Sequence, residues 1–211
     1  MADPPKLQPF HLDALREMGN VGAGNAATAL SQLLNRRVEM NVAQVQIVST
    51  DSLGEFLGAH PEEVAAVQIP VYGEGRAKVL LFYDLDRLGA LVSLLMGRPA
   101  VDPKELTELE RSAVQEISSI LTGAYLNALN GLIKIQLIHG LPAMTFDRAD
   151  AVLQSILMES EQSQGWALVI ETEFSEAGRI LAGHFILIPE GPALELLLRA
   201  FYRALGIPPD A

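Results

Sequence analysis

Apolar residues recur with a helical period from about residue 10 to 35, where Leu15, Met18, Gly22, Ala26, Ala29 and Leu33 fall on one face. An extended segment follows at Val38–Val48, alternating strictly at Val38, Met40 and Val42 and again at Val45 and Ile47. A short helix is predicted over Ser52–Leu57. Two strands, Val64–Tyr72 and Ala77–Tyr83, flank Gly73-Glu74-Gly75 as a hairpin, and a helix over Asp86–Met96 stops at Gly97-Arg98-Pro99. The chain then repeats itself. Thr107-Glu108-Leu109-Glu110 is a capping box that opens a long helix with Val114, Ile117, Leu121, Ala124 and Ala128 on its apolar face. An extended stretch (Ile133–Ile138), a helix (Ala149–Glu159), strands at Trp166–Phe174 and Arg179–Ile188, and a helix at Ala193–Leu205 complete it.

The pattern predicts an α/β (α+β) fold built from a duplicated helix-strand-helix-strand-strand-helix unit. A half of about 100 residues would bury its core poorly alone. The two repeats (about 10–99 and 104–206) are therefore expected to share a mainly antiparallel sheet around a pseudo-two-fold axis, flanked by the long helices, as one domain over 1–211. Ala100–Lys104 is then an internal connection.

Opposite the apolar face of the first long helix lie Asp13, Glu17, Asn20 and Gly24; at a fixed shift of 99 the second carries Ser112, Glu116, Ser119 and Gly123. Positions i, i+4, i+7 and i+11 of an α-helix occupy a stripe about 60° wide. Each copy thus sets an acid and a short polar residue on one face. Polar residues opposite a core face are ordinarily solvated surface, but two features favour a site. The stripe is repeated at one shift. The first helix also tolerates Gly19, Gly22 and Gly24, each costing about 1 kcal/mol relative to alanine. Gly22 is expected to permit close helix packing. Gly19 and Gly24 are expected to leave bare surface around Asn20, over which another molecule could approach.

Composition narrows the chemistry. With 49% apolar and 19% charged residues, disorder is not expected away from the termini. No apolar run is long enough for a membrane span; Ile180–Ile188 is the most apolar stretch and reads as a buried strand. Met1 to Lys6 shows no signal-peptide pattern, and the absence of cysteine excludes disulfides and thiolate metal sites, so a cytoplasmic protein is expected. A net charge of −11 with no basic cluster beyond Arg36-Arg37 argues against nucleic acid. Four scattered histidines, His11, His60, His139 and His184, lack metal-ligand spacing. Gly19-x-x-Gly22-x-Gly24 is not a dinucleotide fingerprint and follows a helix; no phosphate-binding loop or nucleophile elbow occurs.

An asparagine amide is a poor acid or base but offers an acceptor oxygen and two donor hydrogens. That suits holding a water in line with a phosphoryl group while donating to a phosphoryl oxygen. Phosphoryl transfer is mostly positioning and charge stabilisation, so such an amide matters where another molecule supplies metal and cation.

Glu17-Met-Gly-Asn20-Val-Gly-Ala-Gly-Asn-Ala-Ala-Thr-Ala-Leu30 resembles the signature helix of the CheC family of chemotaxis phosphatases. The family pattern is Asp or Ser, three residues, Glu, two residues, Asn, and a proline after 22 more. Asp13, Glu17 and Asn20 match in the first half, with Ala43 at the proline position. Ser112, Glu116 and Pro142 match in the second, with Ser119 for the asparagine. The resemblance implies hydrolysis of the aspartyl phosphate of the response regulator CheY. Asn20 would orient the attacking water and Glu17 would engage the regulator's active-site lysine. The protein would need no cofactor of its own, with Mg arriving on CheY; a monomer is expected in the leading reading. It also implies CheD as a possible partner. Serine is too short to replace the amide, so the Ser119 face is expected to be weak or inactive, kept for docking through Glu116. Ala43 removes a backbone restraint beneath Asn20. The competing reading is a non-catalytic CheD-binding adaptor or a switch-type reader of phosphorylated CheY; a purely structural duplicated domain is the third.

Overall fold

The computed structural model describes residues 9–56, 63–97, 102–159, 166–176, 179–190 and 192–206. The first half comprises α1 (Pro9–Leu34), β1 (Glu39–Ser49), a 3-10 turn running into the short helix α2 (Leu53–Phe56), the hairpin β2 (Glu63–Gly73) and β3 (Ala77–Asp84), and α3 (Leu85–Met96). The second comprises α4 (Glu108–Ile133), the short strands β4 (Leu137–His139) and β5 (Ala143–Arg148), α5 (Ala149–Glu159), the hairpin β6 (Trp166–Glu176) and β7 (Arg179–Pro189), and α6 (Pro192–Leu205). Readings that fall on Met1–Lys6, Leu57, Arg98-Pro99 and Ala100-Val101 lie outside the described residues.

The expected capping box is formed: Thr107 accepts from the Glu110 amide, and the Glu110 carboxylate accepts from the Thr107 amide at 2.7 Å. Gly97, in the left-handed region at φ 63°, caps α3. One strand reading is corrected. α4 runs on to Ile133, so the stretch read as extended over Ile133–Ile138 enters a strand only at Leu137, and β5, which the sequence reading did not include, joins β4 in pairing with β2.

All strands form one antiparallel sheet in the order β1-β6-β7-β3-β2-β4, with β5 also on β2. The order reads alike from either end. The hairpins meet at β3 and β7, and the first strand of each half crosses to the hairpin of the other, β1 to β6 and β4/β5 to β2. This is the duplicated, pseudo-two-fold sheet expected from the repeat. One sheet face carries α1, α3, α4 and α6 over the larger core; the other carries α2 and α5 over a smaller one with Leu53, Val152, Leu153 and Ile156.

α1 and α4 lie side by side, and Tyr125 joins them to the sheet. A Cβ on Gly22 would fall 2.6 Å from the Tyr125 ring, so only glycine lets α1 approach this closely. The Tyr125 hydroxyl is 2.7 Å from Thr172 Oγ1 on β6, and its ring packs on Phe185 with centroids 4.8 Å apart. Tyr83 on β3 makes a second buried contact between the sheet and α4, to Ser118 at 3.1 Å.

Burial raises both phenols to about 12, above their ordinary 10.0, because a buried phenolate loses its hydration. Folded-state values above the unfolded ones give stability that is complete below pH 10 and is lost as the pH rises toward 12. The loss is on the order of 2 kcal/mol per tyrosine. Urea midpoints at pH 8 and pH 11.5 are expected to show it, and Tyr125→Phe should remove the Tyr125 share.

The apolar face of α1 is rotated from the one read in the sequence. Leu15, Met18, Ala26 and Leu30 are buried with Ala23 and Gly19, whereas Ala29 is half-buried and Leu33 is 56% exposed. α1 touches two partners, α4 through Gly22 and β1 through Gly19, so its buried stripe is centred between them. α4 shows the same rotation: Ser118, Thr122 and Tyr125 are buried, while Ala124 and Ala128 are only half-buried.

Candidate functional site

The rotation leaves the polar stripe of α1 on the surface. Asp13, Glu17, Asn20 and Gly24 are all exposed. A Cβ on Gly24 would meet nothing within 4 Å, so the surface beyond Asn20 is open. Gly19 is not part of that bare surface, contrary to the sequence reading. It is buried, and a Cβ there would lie 3.2 Å from the Val42 side chain of β1. Its work is close approach: β1 is drawn against the backbone that carries Asn20.

The proline position of the family pattern falls on a defect in that strand. β1 pairs regularly with β6 except between Val42, opposite Thr172, and Gln44, opposite Glu171; Ala43 is the extra residue of a bulge. A bulged residue gives no amide to the ladder, which is why proline fits such a place. Here the bulge forms with alanine. In the second half Pro142 stands in the gap between β4 and β5, and its carbonyl accepts from Gln115 Nε2 at 3.3 Å.

Two clamps absent from the sequence reading hold these strands to the helices. The Ser31 hydroxyl accepts from the Val38 amide at 3.0 Å, and Asn130 grips both backbone groups of Leu137, donating at 2.9 Å and accepting at 3.0 Å. Between helix and strand, Asn35 (φ 49°) and Lys134 (φ 57°) take the left-handed conformation. All three pairs of positions are related by the shift of 99, which is the signal that could have found them.

The second face is shaped differently. Ser112 and Glu116 are exposed, Ser119 and Gly123 half-buried. With Pro142 they line an open groove of about 670 Å³ between α4, α1 and the β4–β5 connection. His139 joins them there. Leu141, related by the shift to the buried Val42, is 87% exposed. Ser118 explains part of the difference: it occupies the place of Gly19 and turns its hydroxyl inward to Tyr83 and the Val114 carbonyl. The structure thus brings Asp13, Glu17, Asn20 and Gly24 together on one face and Ser112, Glu116, Ser119, Gly123 and Pro142 on another.

Among the described residues no three His, Asp or Glu side chains come together in a metal-holding group, and no helix is long and apolar enough to cross a membrane.

A family model described as the CheC-like family matches residues 10–42, the span from α1 to the edge of the β1 bulge. The CheY-P phosphatase CheC of Bacillus subtilis is 32% identical over 198 residues, covering 92% of this chain and 95% of its own length. Among solved structures, Thermotoga maritima FliY superposes with a TM-score of 0.74 at 22% identity, over 94% of this chain and 99% of that one. The FliM middle domain of H. pylori superposes at 0.65 and 13% identity, over 92% and 99%. The two structures share the fold. The likeness in sequence, spanning nearly the whole of both proteins, carries more: the chain belongs to the CheC-like family.

Proposed function

We propose that this protein hydrolyses the aspartyl phosphate of the response regulator CheY, chiefly from the α1 face. The observation that carries this reading is the exposure of Glu17 and Asn20 on one helix stripe beside the open surface at Gly24, in a chain whose full-length relative is named a CheY-P phosphatase. In this reading the Asn20 Oδ1 accepts a hydrogen bond from a water placed in line with the phosphorus–oxygen bond, and Nδ2 donates to a phosphoryl oxygen. Water attacks phosphorus, the bond to the aspartyl carboxylate breaks, and inorganic phosphate leaves. Glu17 pairs with the lysine of the regulator's site, Asp13 supports the docking edge, and Mg arrives with the regulator. The protein contributes position and polarity, which suffice for a reaction governed by both.

The second reading, which the loss of one amide at Ser119 favours, is a non-catalytic protein, either an adaptor for CheD or a reader of phosphorylated CheY. The two readings part in a time course of phosphate loss from phosphorylated CheY with and without this protein. Acceleration supports the phosphatase; tight binding with unaltered decay rejects it.

Gly24→Ala tests the docking surface. A methyl there meets nothing in the protein and relieves a helical glycine, so stability is expected to rise by about 0.5–1 kcal/mol. The regulator concentration needed for half-maximal rate is expected to rise too. Urea unfolding and the rate titration read the two effects separately.

A further inference from the structure

Beyond the missing amide, the two faces differ in what lies over their glycines. Nothing covers Gly24, but the imidazole of His139 lies on Gly123, with Nε2 3.3 Å from the place a Cβ would take. The ring is held from both ends of its strand. Asn130 anchors Leu137, and the Gly140 amide donates to the Pro70 carbonyl at 2.7 Å. His139 Nδ1 lies 3.1 Å from the Gly140 carbonyl oxygen. A carbonyl oxygen can only accept, so Nδ1 is the donor in this contact, and in the uncharged form of the ring Nε2 is left with the lone pair. His139 borders the same groove as Glu116 and Ser119, and Glu116 is the other titratable side chain lining it.

We propose that the α4 face is a second hydrolytic site in which His139 replaces the lost amide. The inference rests on the phosphatase reading of the α1 face. Nε2 accepts a hydrogen bond from the attacking water, the Ser119 hydroxyl donates to a phosphoryl oxygen, and Glu116 pairs with the regulator's lysine. As water oxygen bonds to phosphorus, the bond to the aspartyl carboxylate breaks and the carboxylate leaves. The water proton passes to a phosphoryl oxygen or to solvent, and Nε2, like the amide it replaces, holds the water in line. No oxidant or further reactant is needed. A histidine that merely fills the space over Gly123 would make none of these contacts.

The test uses the full chain carrying Asn20→Ala, which removes the α1 amide, and phosphorylated CheY as substrate. A residual catalysed rate on the order of 1% of the unsubstituted protein's is expected. Adding His139→Ala should abolish it. Adding His139→Gln, whose amide oxygen can stand where Nε2 stood, should restore most of it, and equal urea midpoints exclude a folding effect. Nitrogen-15 NMR of the neutral ring should show the Nδ1–H tautomer. An Nε2–H tautomer, a residue-139-independent rate, or no residual rate beside an active unsubstituted protein overturns the inference alone. An unsubstituted protein that leaves the decay unaltered overturns the phosphatase reading and this inference with it.

Discussion

Replacing Asn20 by alanine is expected to lower the catalysed rate of phosphate loss by about 100-fold: loss of a single positioned donor at a reacting oxygen costs about 100- to 1000-fold, and the α4 face supplies what remains. The side chain is exposed on a helix that its neighbours, not its own contacts, hold in place: Gly22 against Tyr125 and Gly19 against Val42. Truncation therefore leaves the fold intact. Alanine is also the better helix former, by roughly 0.5 kcal/mol, so stability should not fall. A rate loss at unchanged or slightly higher urea midpoint would separate lost chemistry from lost structure. The effect belongs in turnover more than in the regulator concentration at half-maximal rate, because the proposed docking contacts are those of Glu17 and the surface at Gly24, which the substitution leaves in place.

The largest expected effect on stability lies elsewhere, at the turn between β2 and β3. Gly73 has φ 119°, and a Cβ there would fall 2.1 Å from the Gln136 carbonyl oxygen. That oxygen also accepts from the Glu74 amide at 3.0 Å, while the Glu74 carboxylate accepts from the Gln136 amide at 2.9 Å. Gly73→Ala must therefore strain its own backbone and push away the segment that leads into β4. A cost of about 3 kcal/mol is expected, from the positive φ together with the backbone collision. In a chain of this size that corresponds to a fall in Tm of roughly 6–12 °C. The damage falls on β4, which carries His139. The α1 face, held through β1, should keep its turnover below the melting temperature, and a rate assay at low temperature checks this.

Most of the fold could be read in the sequence because each half repeats the same periodicities, and the repeat at 99 positions makes a shared, symmetric sheet the economical solution. The misreadings share a physical cause. Periodicity treats a helix as facing one partner, but α1 faces both α4 and β1; that turned Gly19 from surface into contact and exposed Leu33. The late start of β4 was illegible for a related reason. Ile133, Ile135 and Leu137 alternate like one strand, yet Ile133 ends α4 and Lys134 turns the chain in the left-handed region. The polar stripe of α1 was legible, since its exposure follows from standing opposite a core face, whereas on α4 Ser119 and Gly123 are half-buried. What stood over each glycine was not legible, because His139 reaches Gly123 only through the tertiary pairing of β4 with β2.

The bulge at Ala43 adds a point about the departure from the family pattern. Reading Ala43 as a lost restraint supposes that proline makes the irregularity. In this chain the irregularity exists with alanine, and Val42 beside it is 4% exposed against Gly19. The packing of β1 on a glycine, rather than the ring of a proline, sets the wall next to Asn20.

The proposed function makes the two faces inherited from one repeat unequal, with α1 dominant. Rates of phosphate loss from phosphorylated CheY with the unsubstituted protein, Asn20→Ala and Ser119→Ala, measured side by side, test it most directly. Ser119→Ala is expected to stay within about twofold of the unsubstituted protein while Asn20→Ala falls by about 100-fold. Equal losses in the two variants, or a rate indifferent to Asn20, would contradict it.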